Sequence, residues 1–514
     1  MIDDLLSAAS LVLGWQTFAA IVLGTVIGLV IGAIPGLTAT MGMALLSPFT
    51  FFVEPLIGIP FLIGLYKGGT FGGSVSAILI GTPGTASNAA TLLDGYEMRK
   101  RGEAGKALYG ALHASLIGDM FGTLALIFIA PLLALIAIKF GPHEFFALVV
   151  FSMTMVCYVS GNSLSKGVLA ASLGLFFALV GSDPIGGTPR FTFGLNDLGG
   201  GINVIALVTG VFGITEVLIQ METFGRRGRG VPDLAGVVLG RAHIALSTLI
   251  GHVRNIVRSS LIGTLIGALP GIGAETSSWV AYGLAKRASK TPERFGSGDL
   301  DGVLAPEAAN NAVCGAAMIP MLVFGIPGDI VTAILMSALI AQGLQPGPFL
   351  ISEHRDVIYG LFIAVLMATV ALYVFGRLTM SWWVRILSIP RPLLYSMVVV
   401  FCAVGTFSVQ SSAFDLAVMF AFGILGYVMR KLDMAVAPMV LAFVLSKIME
   451  ESLRRGLVQS DGSFLDFFQR PIAAFFLVLT GLVLISFALV EWRKRERNEG
   501  ASGEDHQRSA EERE

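Results

Sequence analysis

The chain has 514 residues, of which 54% are hydrophobic and only 13% charged, and its mean hydropathy is +0.79. A soluble protein carries about twice that charged fraction, which argues against a water-soluble globule, and the net charge of −1 supplies no basic surface for nucleic acid. Cys157, Cys314 and Cys402 lie in apolar segments with no CxxC spacing, so they read as buried small hydrophobes rather than redox thiols or metal ligands.

The start, Met1-Ile2-Asp3-Asp4, is acidic, unlike the basic opening of a secretion signal. The first apolar run enters at about Trp15 and breaks at Gly32-Ala33-Ile34-Pro35-Gly36. A second break follows at Gly81-Thr82-Pro83-Gly84. Proline lacks an amide donor and glycine has no preferred hand, so each break leaves backbone groups unpaired at membrane depth. Such backbone must be buried in protein or line a wet cavity. Residues 32–94 thus form a candidate binding module, with Gly36, Thr38, Lys67, Thr82, Gly84, Thr85, Ser87 and Asn88 as candidates for substrate contact. Gly69, Thr70 and Ser74, in the glycine-rich middle, are candidates for an ion. A helix restarting after Pro-Gly aims free N–H groups at the gap, which suits a carboxylate; carbonyls released at the break suit sodium. Two plainer readings stand beside these. Glycines also let membrane helices pack closely, and Lys67 can pair with a buried acid, Glu275 or Asp329, instead of a solute.

Apolar runs near 107–138, 145–160, 166–181 and 201–220 complete a first unit, residues 1–222. Asp119 and Glu216 lie inside these runs and read as packing or pairing residues. Residues 223–258, with Arg226, Arg227, Arg229, Arg241, Arg254 and Arg258, form an arginine-rich connector, expected to be cytoplasmic. The Ser182–Gly200 loop holds one basic residue, Arg190, and is expected outside.

The second unit, 259–450, repeats the breaks as Gly267-Ala268-Leu269-Pro270-Gly271 and Gly325-Ile326-Pro327-Gly328 within a module at 267–348. Gly271, Gly273, Gly328 and Asp329 are candidates for substrate contact; Glu275, Thr276, Asn310, Asn311 and Ile326 are candidates for the ion. Asp329 also stands where a helix N-cap would, and paired asparagines can equally bond helix to helix. The stretch Lys286–Asp301 has no counterpart in the first unit. Runs near 356–376, 392–408, 413–429 and 432–449 follow, then a last span at 472–490 and a charged tail, 491–514, expected to be disordered and cytoplasmic. Counting crossings puts the N-terminus outside and the C-terminus inside, so the two units enter from opposite faces. The expected fold is an all-α polytopic membrane protein with two inverted-topology repeats, broken helices and re-entrant segments.

At Gly32–Gly36, Gly68–Ser74, Gly81–Gly84, Leu93-Asp94-Gly95-Tyr96, Gly267–Gly271, Ala305–Ala312, Gly325–Gly328 and Gln345-Pro346-Gly347-Pro348, the chain resembles the large membrane subunit of the tripartite tricarboxylate transporters, the TctA family. The resemblance covers the chain to about residue 490. It implies a multi-pass protein of the bacterial inner membrane that works with a small membrane subunit and a periplasmic solute-binding protein delivering an organic carboxylate. It also implies sodium coupling, no other cofactor and an elevator-like movement. Family members often carry an aromatic or small residue where Lys67 stands, tyrosine at Phe71 and a small hydroxyl residue at Asp329, which leaves the carboxylate open. No Walker, HExxH or GxSxG sequence is present, and no enzyme is expected. A carboxylate channel or exporter without a binding protein, or a membrane enzyme or assembly scaffold, are the alternatives.

Overall fold

The computed structural model describes residues 9–159, 163–227, 244, 246–387, 391–487 and 489. Its first broken region comprises α1 (Trp15–Ala33), α2 (Ala39–Leu46), α3 (Pro55–Ile80) and α4 (Ala89–Lys100). Helices α5 (Ala104–Ala137), α6 (Pro142–Val159) and α7 (Leu164–Ala178) come next, then a two-residue hairpin, β1 (Gly181–Ser182) and β2 (Pro189–Arg190), paired antiparallel with Gly181 opposite Arg190. Helices α8 (Val204–Val208) and α9 (Thr215–Arg227) are joined through a π-helical turn at Thr209–Ile214.

The second broken region has the same order of parts: α10 (Leu246–Gly267), α11 (Gly273–Ala288), α12 (Leu300–Ala316) running on into α13 (Met318–Phe324), and α14 (Ile330–Ala341). Helices α15 (Arg355–Leu378), α16 (Arg391–Gln410), α17 (Ala413–Lys431), α18 (Ala437–Gln459) and α19 (Pro471–Phe487) complete the described chain. Among the described residues six helices are long and apolar enough to cross a membrane. The span 300–324 is the least apolar of the six and also the most enclosed, with 94% of its most apolar 18-residue stretch buried. Its polar residues are carried at membrane depth because other helices, not lipid, surround it.

Glycine seams bring the broken regions together. Helix α1 carries Gly24, Gly28 and Gly32 at four-residue spacing, and α3 carries Gly64, Gly68 and Gly72. A Cβ at any of these six would stand less than 3.0 Å from backbone of the other helix, the close approach that small residues permit between membrane helices. Gly118 and Gly122 of α5 meet the carbonyls of Ala308 and Ala312 on α12 in the same way, and Gly263 of α10 meets that of Ala309. So α12 lies between α5 and α10, sharing a seam with each unit.

Several sequence expectations change in detail. The 223–258 connector is helical at both ends, since α9 reaches Arg227 and α10 starts at Leu246, ahead of the expected entry at 259. Arg229, Arg241 and the tail 491–514 lie outside the described residues. The stretch Lys286–Asp301 tips the α11–α12 hairpin and docks on the first unit. Asp94 Oδ1 accepts from the backbone amides of Gly296, Gly298 and Asp299, each at 2.8 Å, and Asp94 Oδ2 accepts from Tyr282 Oη at 2.9 Å.

Charged ends meet in two groups. Lys431 pairs with Glu222, and Arg430 with Glu216, so the ends of α9 and α17 share one face. Arg190 bonds Asp183 and Glu450, and Arg454 bonds Asp183, which ties the 181–200 loop to the far end of α18. Cys157, Cys314 and Cys402 are free and buried.

Candidate functional site

Each proline–glycine break turns the chain with a left-handed glycine and restarts a helix. Gly36 (φ 90°) precedes α2, where Thr38 Oγ1 accepts from Met41 N at 3.1 Å. Gly81 (φ 75°) ends α3, and a short 3-10 turn, Ala86–Asn88, leads into α4. In the second region Gly271 (φ 84°) and Gly273 (φ 73°) precede α11, and Gly325 (φ 68°) ends α13. Asp329 caps α14 reciprocally with Thr332, accepting from Thr332 N at 2.8 Å. Gly271 N donates to Gly328 O at 2.8 Å, so the two breaks of this region brace one another.

The four restarts face one cavity of about 440 Å³. Its wall takes Thr38, Ala39 and Thr40 from the start of α2, and Thr85, Ala86 and Ser87 from the approach to α4. It takes Gly271 to Glu275 from the start of α11, and Asp329 to Val331 from the start of α14. Tyr66 and Thr70 of α3 close one side; Thr215 and Glu216, just after the π turn, and Arg430 of α17 close another. Helix N-termini present unpaired N–H groups and the positive end of the dipole, so the rim favours negative charge. Against it stand three acids, Glu216, Glu275 and Asp329, with Arg430 as the one cation among the lining residues. Asp329 is spent on its own helix and on Tyr66, whose hydroxyl donates to Asp329 Oδ2 at 2.7 Å across the two units. Glu216 accepts from Gln220 at 2.8 Å and lies 3.6 Å from the Arg430 guanidinium.

Of the residues singled out in the sequence, Thr38, Thr70, Thr85, Ser87, Gly271, Gly273, Glu275 and Asp329 line this cavity. The others do not. Lys67 is the main correction: it is 1% exposed, and its ammonium donates to Asp119 Oδ2 (2.8 Å), Thr123 Oγ1, Val365 O and Thr369 Oγ1 (2.7 Å). Its counter-ion is therefore Asp119, neither Glu275 nor Asp329. Gly69, Gly84 and Gly328 are glycines for packing, since a Cβ there would press on Ala39, on Gly32 and Gly73, or on Ala317. Gly36 lies against the Gln220 side chain. Thr82, Thr276 and Ile326 stay outside the wall.

Ser74, Asn88, Asn310 and Asn311 gather behind the cavity around a residue that sequence reasoning did not single out, Glu307. Its side chain is 0% exposed. Glu307 Oε1 accepts from Thr91 Oγ1 at 2.5 Å and Asn88 Nδ2 at 3.2 Å, and Oε2 accepts from Ser115 Oγ at 3.2 Å. Asn88 Nδ2 also donates to Ser74 Oγ at 2.8 Å and Thr70 O at 3.3 Å. Asn311 Nδ2 donates to Ser115 Oγ, Glu307 O and Asn310 Oδ1. Tyr66 and Arg430 were missed as well, and Glu216, read as a packing or pairing residue, both pairs with Arg430 and lines the cavity. Tyr66 adjoins Lys67 and was the nearest to being found; the others sit on ordinary spans, where only packing shows which side chain meets the cavity.

Residues 18–441 match the family described as the tripartite tricarboxylate transporter TctA family. The chain is 36% identical over 467 residues to an uncharacterized 52.8 kDa protein in the TAR-I ttuC' 3' region of Agrobacterium vitis, covering 91% of this chain and 92% of that one. It is 37% identical over 228 residues to a second protein of that organism, in the TAR-II ttuC' 3' region, covering 44% of this chain and 94% of that one. No solved structure matches.

Proposed function

Because this chain belongs to the TctA family of tripartite tricarboxylate transporters, we propose that it is the membrane-spanning subunit of an importer that takes an organic di- or tricarboxylate from a periplasmic binding protein. The observation that carries this reading is the meeting of four helix starts on one cavity. Backbone N–H groups at such starts replace the water around a carboxylate, and the hydroxyls of Thr38, Thr85 and Ser87 add donors beside them.

The acids on the same wall support coupling to a cation. With Glu216, Glu275 and Asp329 set against Arg430 alone, a multiply charged anion meets less repulsion if a cation enters with it. Sodium is the cation of this reading. The two broken regions, alike in their order of parts, are read as inverted repeats. The docked seams and the Asp94 clasp join them into one body that would move past α6–α9 and α16–α19. The face bearing Arg430 and Lys431 is read as cytoplasmic and the 181–200 loop as periplasmic, in a bacterial inner membrane. A small membrane subunit and the binding protein complete the assembly.

Uptake by cells expressing the chain with both partners tests this. A labelled carboxylate panel should yield at least one substrate whose accumulation fails without the binding protein and falls when sodium is replaced by choline. Accumulation that persists without the binding protein would favour a channel or exporter instead.

A further inference from the structure

Glu307 is a carboxylate at membrane depth with no basic partner among the described residues. Its side-chain polar contacts are all neutral: Ser74, Asn88, Thr91 and Ser115. Several charged and titratable groups of the helices packed around α12 are engaged elsewhere. Lys67 is bonded to Asp119, Tyr66 to Asp329, Tyr282 to Asp94, His252 to Asp301 and Arg258 to Asn255, while Glu275 faces the cavity. A bare carboxylate in such surroundings is costly unless a cation neutralises it.

A second observation lies beside the first. Asn311 Oδ1 and Asn310 Nδ2 are buried without a hydrogen-bond partner, although both residues are 0% exposed. Groups so enclosed are nearly always satisfied, so an acceptor left over next to an uncompensated carboxylate points to an occupant that takes lone pairs. The hydroxyls of Thr91 and Ser115 can rotate to offer theirs. Oxygen donors alone suit a hard cation rather than a soft one.

We propose that Glu307, with Asn311, Ser115 and Thr91, forms a binding site for a monovalent cation, either a sodium-sized ion or a proton. The proposal deepens the ion-coupled reading above, because Asn88 connects this site to the cavity. Thr85, on the cavity wall, donates to Asn88 Oδ1, and Asn88 Nδ2 donates to Glu307. A cation drawing on the Glu307 oxygens therefore pulls on the amide that positions the cavity wall.

The test needs neither substrate nor partner subunits, so its failure is distinguishable from failure of the uptake reading. The melting temperature of the purified full chain in detergent is measured in sodium chloride and in choline chloride at equal ionic strength, at pH 6 and pH 8. Occupancy stabilises the folded state by mass action. A rise of several degrees with sodium identifies the ion as the occupant; a rise on acidification in choline identifies the proton. Glu307→Gln keeps the shape and removes the charge, and it should abolish whichever response the wild type gives. Should that variant fail to fold, Asn311→Ala serves, moving the half-maximal sodium concentration or proton activity at least several-fold higher. A wild type insensitive to both, or a Glu307→Gln or Asn311→Ala protein that responds as the wild type does, overturns the proposal.

Discussion

Removing one partner of the Lys67–Asp119 pair leaves a charge that is at most 1% exposed. Breaking a buried pair from one side costs about 3–5 kcal/mol, whereas removing both partners is far milder. Lys67→Met should therefore lower the melting temperature and the yield of folded protein, and Lys67→Met with Asp119→Asn should recover much of the loss. A double-mutant cycle on thermal stability checks this; additive losses would show that the two charges do not depend on each other. The depth of Lys67, and its need for an anion, were legible in the sequence from the apolar run around it. Its partner was not, because Asp119 is 52 residues away and meets it only where α3 packs on α5 and α15. The same limit explains Arg430: its neighbour Lys431 marks a helix end, and nothing local says that its side chain turns into a cavity.

At the scale of elements, the seam of α1 on α3 is the most exacting contact. Gly28→Ala would set a methyl against the carbonyl of Leu65 and the amide of Gly69, backbone that cannot rotate away. Overpacking of this kind costs about 1–3 kcal/mol. Gly283, in α11, is the control, for a Cβ there meets nothing within 4 Å, and an alanine in an open helical position is worth up to about 1 kcal/mol. Gly28→Ala should lower the melting temperature and broaden the size-exclusion profile, while Gly283→Ala should leave both unchanged or improved. The four breaks were plain in the sequence, since proline and glycine act locally, and all four lie where helices stop and restart. The division of labour among the glycines was not legible. Gly69 and Gly84 read as ligand contacts, yet a residue without a side chain serves a ligand and a neighbouring helix alike, and here the neighbour is a helix or the backbone of another break.

For the whole molecule, the order of the apolar helices was readable from the apolar runs, although α9 reaches Arg227 and α18 runs to Gln459, well past the expected ends at 220 and 449. The tethering of the 181–200 loop was not, because it depends on which helix ends share a face. The amides of Ile185 and Gly186, with the guanidinium groups of Arg454 and Arg190, hold the Asp183 carboxyl well below the usual carboxylate range. A carboxylate whose folded pKa is depressed contributes stability above its unfolded value, about 3.9, and loses it as pH falls through the folded value. Asp183→Asn should thus melt at a lower temperature than wild type at pH 7, and the gap should begin to close below about pH 4 and vanish as pH falls through the folded value. Curves that stay parallel across that range would mean that ionisation of Asp183 contributes nothing to folding.

The bare glycine seam sets a rule for motion. Where backbone rests on backbone there are no rotamers to repack, so α1 and α3 cannot slide past each other by small side-chain adjustments. The contact either holds as it is or is lost entirely. Deformation must then be sought where bulky side chains interleave, as Phe177 does with Phe422 at a ring separation of 4.9 Å, or at the π turn of 209–214, where the helix is already irregular. In α1 and α3, glycine content thus argues for a fixed joint between two helices rather than a sliding one.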